Sequence, residues 1–234
     1  MSVFNDALLT ASTPVIMEVK RRGAHGEDLF AGRSVRDIVA TYHGLGAPCL
    51  SVVTGSWFGG DDELLREVVA LSDRPILKKD FITRERQVAD AAAMGAAAVL
   101  LTAELLPASL VGRLVEACLR HGVTPFVEIS SDAHLGGIVD ARECVLAVNN
   151  KDIRRRERGD ADIGRSLSLL PAIRDAGAGC AVSASGIACP DVAARLLDAG
   201  FDALLVGTGL LCVDDAQGWL DVLHGRPKVT AATT

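Results

Sequence analysis

Aromatic residues make up only 4% of this 234-residue chain, which leaves little material for a surface that stacks bases or rings. Positive charge is also in the minority. With 24 Lys and Arg against 30 Asp and Glu, the formal net charge is −6, and no basic face is expected for nucleic-acid binding. Long apolar runs are missing: the uncharged, mostly apolar stretch Ala91 to Ala103 has 13 residues, short of the roughly 18–20 that a membrane helix needs. The N-terminal MSVFNDALLTASTPV has neither a basic region nor an unbroken apolar one, so no secretory signal is expected and a cytoplasmic protein is. The six cysteines (49, 118, 144, 180, 189 and 212) include no CxxC pair and no Cys/His metal spacing; buried free thiols are expected rather than zinc ligands or disulfides.

What the chain does have is recurrence. Short apolar runs return at near-regular intervals: VIMEV (15–19), CLSVVT (49–54), ILKKD (76–80), AAVLLTA (97–103), TPFVEI (124–129), VLAVNN (145–150), CAVSAS (180–185) and ALLVG (203–207). They are continuous in Val, Leu, Ile and Ala, as strands buried on both faces of a parallel sheet are. Between them lie helical stripes such as Val35-Ile38-Val39-Tyr42 and Val111-Leu114-Val115-Cys118-Leu119. Gly46, Gly95, Gly122 and Gly200 each end a helical stretch before a strand, where glycine suits the left-handed residue that stops a helix. Eight such units without a long linker predict one α/β domain, a single (β/α)8 TIM barrel over residues 1–225, with 226–234 as a polar, mobile tail. An open doubly wound sheet is the alternative. The weakest predicted helix is Asp132–Ala141, interrupted by Gly136-Gly137.

Chemistry in such a barrel gathers at the C-terminal strand ends. Those ends carry Glu18 and Lys20, Lys78-Lys79-Asp80, Glu128, Asn149-Asn150-Lys151, Ser183 and Ser185-Gly186, and Gly207-Thr208-Gly209. One lysine at a strand end is commonly a surface group. Glu18, Lys20, Lys79 and Glu128 together are costly unless they face one wet mouth. Ser185-Gly186 and Gly207-Thr208 follow the seventh and eighth strands, where barrels bind phosphate through backbone N–H groups. A phosphorylated small molecule handled by lysines and carboxylates, without metal or cofactor, is the expectation.

In order along the chain, PVIMEVKR (14–21), SVVTGSWFGG (51–60), ILKKDFI (76–82), VEIS (127–130), VNNKD (148–152), VSASGI (182–187) and LLVGTGLL (204–211) resemble the indole-3-glycerol phosphate synthase family. The resemblance implies conversion of 1-(2-carboxyphenylamino)-1-deoxyribulose 5-phosphate to indole-3-glycerol phosphate by ring closure, decarboxylation and dehydration. By position it makes Lys79 the general acid of ring closure and Glu128 the carboxylate for proton transfers around the departing hydroxyl. Lys20 becomes a charge-holding acid for dehydration, Glu18 its orienting partner, and Asn149 a hydrogen-bonding group. Phe81, Lys151, Ser183 and Ser185 are implied to hold substrate, and Ser185, Gly186, Gly207 and Thr208 its phosphate.

This chain departs from the family at the site. Ala184 stands where the family has a glutamate, Lys151 where it has an arginine, and Arg22-Gly23-Ala24-His25-Gly26 where it has a Ser-Pro-Ser loop. The Arg154–Arg158 run reads as a solvated loop, or as a rim contact for an anionic substrate. Only about 14 residues precede the first strand, fewer than the family's usual covering segment. A related arylamino-ketose phosphate in a specialised pathway is therefore kept beside the standard substrate. The alternatives are another phosphosugar lyase or isomerase, including a Schiff-base aldolase using Lys79, and a weakened barrel that binds a phosphometabolite or a partner. A monomer or weak homodimer is expected, since a closed barrel has no open sheet edge.

Overall fold

The computed structural model describes residues 2–155 and 158–223. Eight parallel strands close into one barrel in chain order: β1 (Val15–Val19), β2 (Leu50–Val53), β3 (Ile76–Lys79), β4 (Ala98–Thr102), β5 (Thr124–Ile129), β6 (Val145–Asn149), β7 (Cys180–Ala184) and β8 (Ala203–Val206). Each lies within one of the predicted apolar runs, and every strand residue is buried. The register steps evenly around the ring, with Glu18 beside Ser51, Val53 beside Lys79, Thr102 beside Glu128 and Asn149 beside Ala184.

Two apolar layers hold the ring. Inward residues, among them Ile16, Leu77, Leu100, Phe126, Val182 and Leu205, fill the barrel. Outward residues such as Met17, Val52, Val99 and Leu146 pack against helices α2 (Val35–Gly44), α3 (Asp62–Leu71), α4 (Glu85–Ala93), α5 (Ala108–Arg120), α6 (Ile163–Asp175) and α7 (Pro190–Asp198). The stripe Val35, Ile38, Val39 and Tyr42 is the buried face of α2, whose start is fixed by a Ser34–Asp37 capping box. Gly46, Gly95, Gly122 and Gly200 all have positive φ, as the repeated helix-stop motif requires.

Helix α1 (Val3–Thr10) lies at the N-terminal end of the barrel, opposite the predicted site. Phe4 and Leu8 are fully buried, and Phe4 meets Phe126 edge-on with centroids 6.3 Å apart. These two rings occupy space left by Ala98, Ala147, Ala184 and Ala203 in the same inner cluster. Few aromatics thus suffice, because two of them fill the narrow axis.

The predicted helix at Asp132–Ala141 does not form. Two short 3-10 turns, Asp132–Gly137 and Ala141–Glu143, replace it. The physical reason lies at Gly137, which packs so tightly on the backbone of Ala108 that a Cβ would overlap it. A chain pinned there by glycines gains little from a helix. The expected tail, 226–234, lies outside the described residues. Among those described, no helix is long and apolar enough to cross a membrane.

Candidate active site

Period-two alternation decides which strand residues reach the barrel mouth. Glu18, Lys79, Glu128 and Asn149 follow Ile16, Leu77, Phe126 and Ala147 on the inner face, one step nearer the C-terminal ends. All four are buried or nearly so. The Lys79 ammonium donates to Glu18 Oε2 at 3.0 Å, and the Asn149 amide donates to Glu128 Oε1 at 3.0 Å. The Glu18 carboxylate, which the resemblance gives to Lys20 as an orienting partner, accepts a hydrogen bond from Lys79. Lys20 lies with its ammonium 4.2 Å from the centroid of the Phe58 ring, a cation–π contact.

The mouth opens into a cavity of about 520 Å³ lined by Glu18, Lys20, Lys79, Lys151, Ser185, Gly186, Gly207 and Thr208, together with His25, Glu27 and Cys212. A second, narrow and mostly apolar arm, with about 20 Å³ of free space, shares Lys20 and Lys79 and is lined by Val53, Phe58, Asp80, Phe81, Leu100, Thr102, Glu128 and Ile153. The two lysines therefore stand at the junction of a polar compartment and an apolar one. Trp57, half exposed, packs on Phe81 with centroids 4.8 Å apart at the rim of the apolar arm. Glu27 is held by the backbone N–H of His25, and backbone hydrogen bonds keep its carboxyl below the usual range.

The backbone around the polar compartment is built to leave room. At Gly207 a side chain would run into the Glu18 carboxylate, and at Gly186 it would strike Ala161. Ser185 has φ +65 and Gly186 φ +72, so the turn after β7 is left-handed at two successive residues. A serine in that region is strained and persists only where its surroundings hold it. Asn150 does so: its amide donates to the carbonyls of Ala184 and Ser185, at 3.1 and 3.2 Å, and to Ser183 Oγ at 3.0 Å. After β8 the chain enters the short α8 (Thr208–Leu211), which Arg33 ties to the loop after β1 by donating to Leu211 O at 2.7 Å.

The structure thus brings together Glu18, Lys20, Lys79, Glu128, Asn149, Phe81, Lys151, Ser185, Gly186, Gly207 and Thr208. Ser183 stands elsewhere. It is on the outward face of β7, its Oγ 2.7 Å from Ser166 Oγ of α6, while Ala184 takes the inward position. Lys78, neighbour of Lys79, also points outward and joins Thr54, Asp62 and Asp80 in a polar cluster that binds the ends of β2 and β3. From the Arg-rich loop, Arg154 pairs with Glu104 at 3.0 Å and Arg158 donates to Ala24 O at 3.2 Å, so these two arginines lace loops together around the mouth.

Several contributors escaped the sequence reading. Phe58 and Trp57 sit in the quoted SVVTGSWFGG, and their clustering after a buried strand was the available signal. Thr102 ends an apolar run with nothing to distinguish it from a core threonine. Arg165, which donates to the carbonyl of Asn149 at 2.7 Å, gave no local signal because its partner is a backbone atom. The cysteines divide: Cys49, Cys118, Cys144 and Cys180 are buried as expected, but Cys189 and Cys212 are exposed.

A family model described as indole-3-glycerol phosphate synthase matches residues 1–222. Among curated relatives, the tryptophan biosynthesis protein TrpCD of Archaeoglobus fulgidus is 34% identical over 230 residues, which are 97% of this chain and 41% of that protein. This chain therefore spans less than half of that relative. The indole-3-glycerol phosphate synthase of Syntrophobacter fumaroxidans is 32% identical over 212 residues, covering 90% of this chain and 78% of the relative. Among solved structures, 3-hexulose-6-phosphate synthase from Salmonella typhimurium matches with a TM-score of 0.68 at 12% identity, over 90% of this chain and 96% of that one, a likeness of fold alone.

Proposed function

Because this chain belongs to the indole-3-glycerol phosphate synthase family, we propose that it is a decarboxylating lyase of tryptophan biosynthesis whose chemistry is carried by Lys79, Glu128 and Lys20. The observation that carries the assignment is the junction: two lysines, each beside a carboxylate or a ring, stand where a polar compartment meets an apolar arm. An arylamino-ketose phosphate has that same division. Its aryl ring suits the apolar lining of Phe58, Phe81 and Leu100 once those side chains turn aside to widen the narrow arm, and its phosphate suits the backbone turns at Ser185-Gly186 and Gly207-Thr208, with Lys151 nearby. The ketose carbonyl then falls between the lysines.

Ring closure joins the carboxylate-bearing ring carbon to the carbonyl carbon, and negative charge grows on the carbonyl oxygen. Lys79 donates a proton there, and the Glu18 carboxylate holds the ammonium in place. Loss of carbon dioxide restores the aromatic ring. The hydroxyl left on the former carbonyl carbon departs as water, with Lys20 supplying the proton and Glu128 accepting one from the substrate. Asn149 fixes the Glu128 carboxylate. Ser183 contributes indirectly, through Asn150, to the shape of the phosphate turn. No metal or cofactor is needed for these steps.

On this reading the partner is a phosphorylated small molecule, and the enzyme acts in the cytoplasm as a monomer or weak homodimer. Ala184 and Lys151 in place of the family's glutamate and arginine leave the shell that holds the substrate different, which favours a related arylamino-ketose phosphate beside the standard one. The test is direct: the purified chain is incubated with the arylamino-deoxyribulose phosphate while indole fluorescence is followed. Product is expected from the wild type, and from Lys79→Met or Glu128→Gln only at rates lower by about a hundredfold or more. Undiminished rates in both variants would overturn the assignment. A reducible lysine adduct trapped by borohydride would favour the aldolase instead.

A further inference from the structure

The apolar arm contains one polar group that neither the fold nor the proposed steps use. Thr102 ends β4 on the inner face, following Ala98 and Leu100. Its side chain is 4% exposed, lines the arm, and its Oγ1 has no hydrogen-bond partner among the described residues. A buried hydroxyl without a partner is costly, and valine would fill the same space at no such cost. Of the other residues around the arm, Val53, Phe58, Phe81, Leu100 and Ile153 have no side-chain donor or acceptor, and the carboxylates of Asp80 and Glu128 make no hydrogen bond to the hydroxyl.

The geometry points to Thr102 as a specificity-determining residue that reads a hydrogen-bonding substituent, a hydroxyl or amino group, on the aryl ring of the substrate. This rests on the reading of the site given above. The ring's own carboxylate does not meet the need. It is borne by the carbon that attacks the ketose carbonyl, so it belongs at the junction beside Lys79 and Lys20. Thr102 is carried by β4 beside Glu128, whereas Lys20 follows β1 and Lys79 ends β3. The substrate class that satisfies every group in the arm is therefore a ring-hydroxylated or ring-aminated arylamino-ketose phosphate. A site that hydrogen-bonds a substrate hydroxyl discriminates strongly against the analogue lacking it, because its own polar group is then left unpaired.

The test compares the unsubstituted substrate with analogues carrying one hydroxyl at each free ring position, alongside the reduced, non-reacting ribitol form of each. For one hydroxylated position, kcat/KM is expected to exceed that of the unsubstituted compound by about tenfold or more. Its reduced form should bind tighter by a similar factor in calorimetry. Thr102→Val keeps the β-branched shape suited to a strand and deletes only the hydroxyl, so both ratios should collapse towards one. Wild-type ratios near one at every position overturn the inference. So does a Thr102→Val variant that keeps the wild-type ratio, whatever its absolute rate, since the hydroxyl then serves Glu128 or the fold. A variant that loses only the unsubstituted substrate assigns the hydroxyl to the ring carboxylate and also overturns it. If no compound is turned over or bound, the reading of the site itself fails. Turnover of the unsubstituted substrate without a ring preference leaves that reading standing and sinks only this inference.

Discussion

Lys79→Met separates the two roles of the central ion pair. The lysine ammonium and the Glu18 carboxylate are 3.0 Å apart, with side chains 10% and 5% exposed. At that distance the attraction is about 5.5 kcal/mol for an effective dielectric near 20 and about 1.4 kcal/mol in bulk water. The pair is buried among side chains but faces a wet cavity, and Lys20 lies two residues along the same face from Glu18, so a cost of about 3 kcal/mol is expected when the lysine is removed. For a chain of this size that is a fall in Tm of roughly 6–12 °C. Adding Glu18→Gln removes the stranded carboxylate, and the double variant should regain about 2 kcal/mol relative to Lys79→Met. Turnover behaves differently. Loss of a general acid should lower kcat by about 10²–10⁴-fold, and the double variant should stay as inactive as the single one. Urea unfolding of the wild type and three variants, with indole fluorescence for activity, reads both. A double variant as unstable as Lys79→Met would refute the pairing argument. Recovery of turnover in the double variant would refute the role given to Lys79.

Three further outcomes follow from other parts of the site. Asn149→Ala frees the Glu128 carboxylate from its 3.0 Å bond, so kcat should fall by about tenfold with KM little changed; the reverse pattern would make Asn149 a binding group. Ser185→Gly relieves a φ of +65 and should leave stability unchanged or raise it by up to about 1 kcal/mol in urea unfolding, while KM rises through loss of the hydroxyl from the phosphate turn. A chromogenic thiol reagent should titrate two of the six cysteines in the native protein, Cys189 and Cys212, and all six in denaturant. Burial pushes the Cys118 and Cys144 thiols up to about 12, so fast reaction of more than two would place a buried thiol at the surface.

The barrel was legible because its signals are local and repeated. Each strand is a run of apolar residues whose length and content suit burial on both faces, and five of the described helices (α2, α4, α5, α6 and α7) are followed by a glycine that takes positive φ. The one predicted helix that does not form lost to a tertiary contact, Gly137 against Ala108, which no local pattern reveals. Most site residues were legible for a related reason. A charge at the end of an apolar strand is expensive unless it faces the mouth, so Glu18, Lys79 and Glu128 announced themselves by position.

Partnership was not legible. Adjacent lysines 78 and 79 look alike in the chain, yet strand alternation turns one outward to Asp62 and Asp80 and the other inward to Glu18. Asn149 and Asn150 divide in the same way, one holding a carboxylate and the other a strained turn. Ser183 was grouped with Ser185 on sequence, and a single residue of offset sends it to the helix side of β7. The amino-acid sequence by itself determined the eight-fold α/β repeat, the family and the end of the barrel where the buried charges gather, because periodicity and burial cost are properties of short segments. Only the tertiary structure decided which charges meet, that the mouth has a polar and an apolar arm, and that Thr102 faces the latter, because those depend on the register of strands closing a ring.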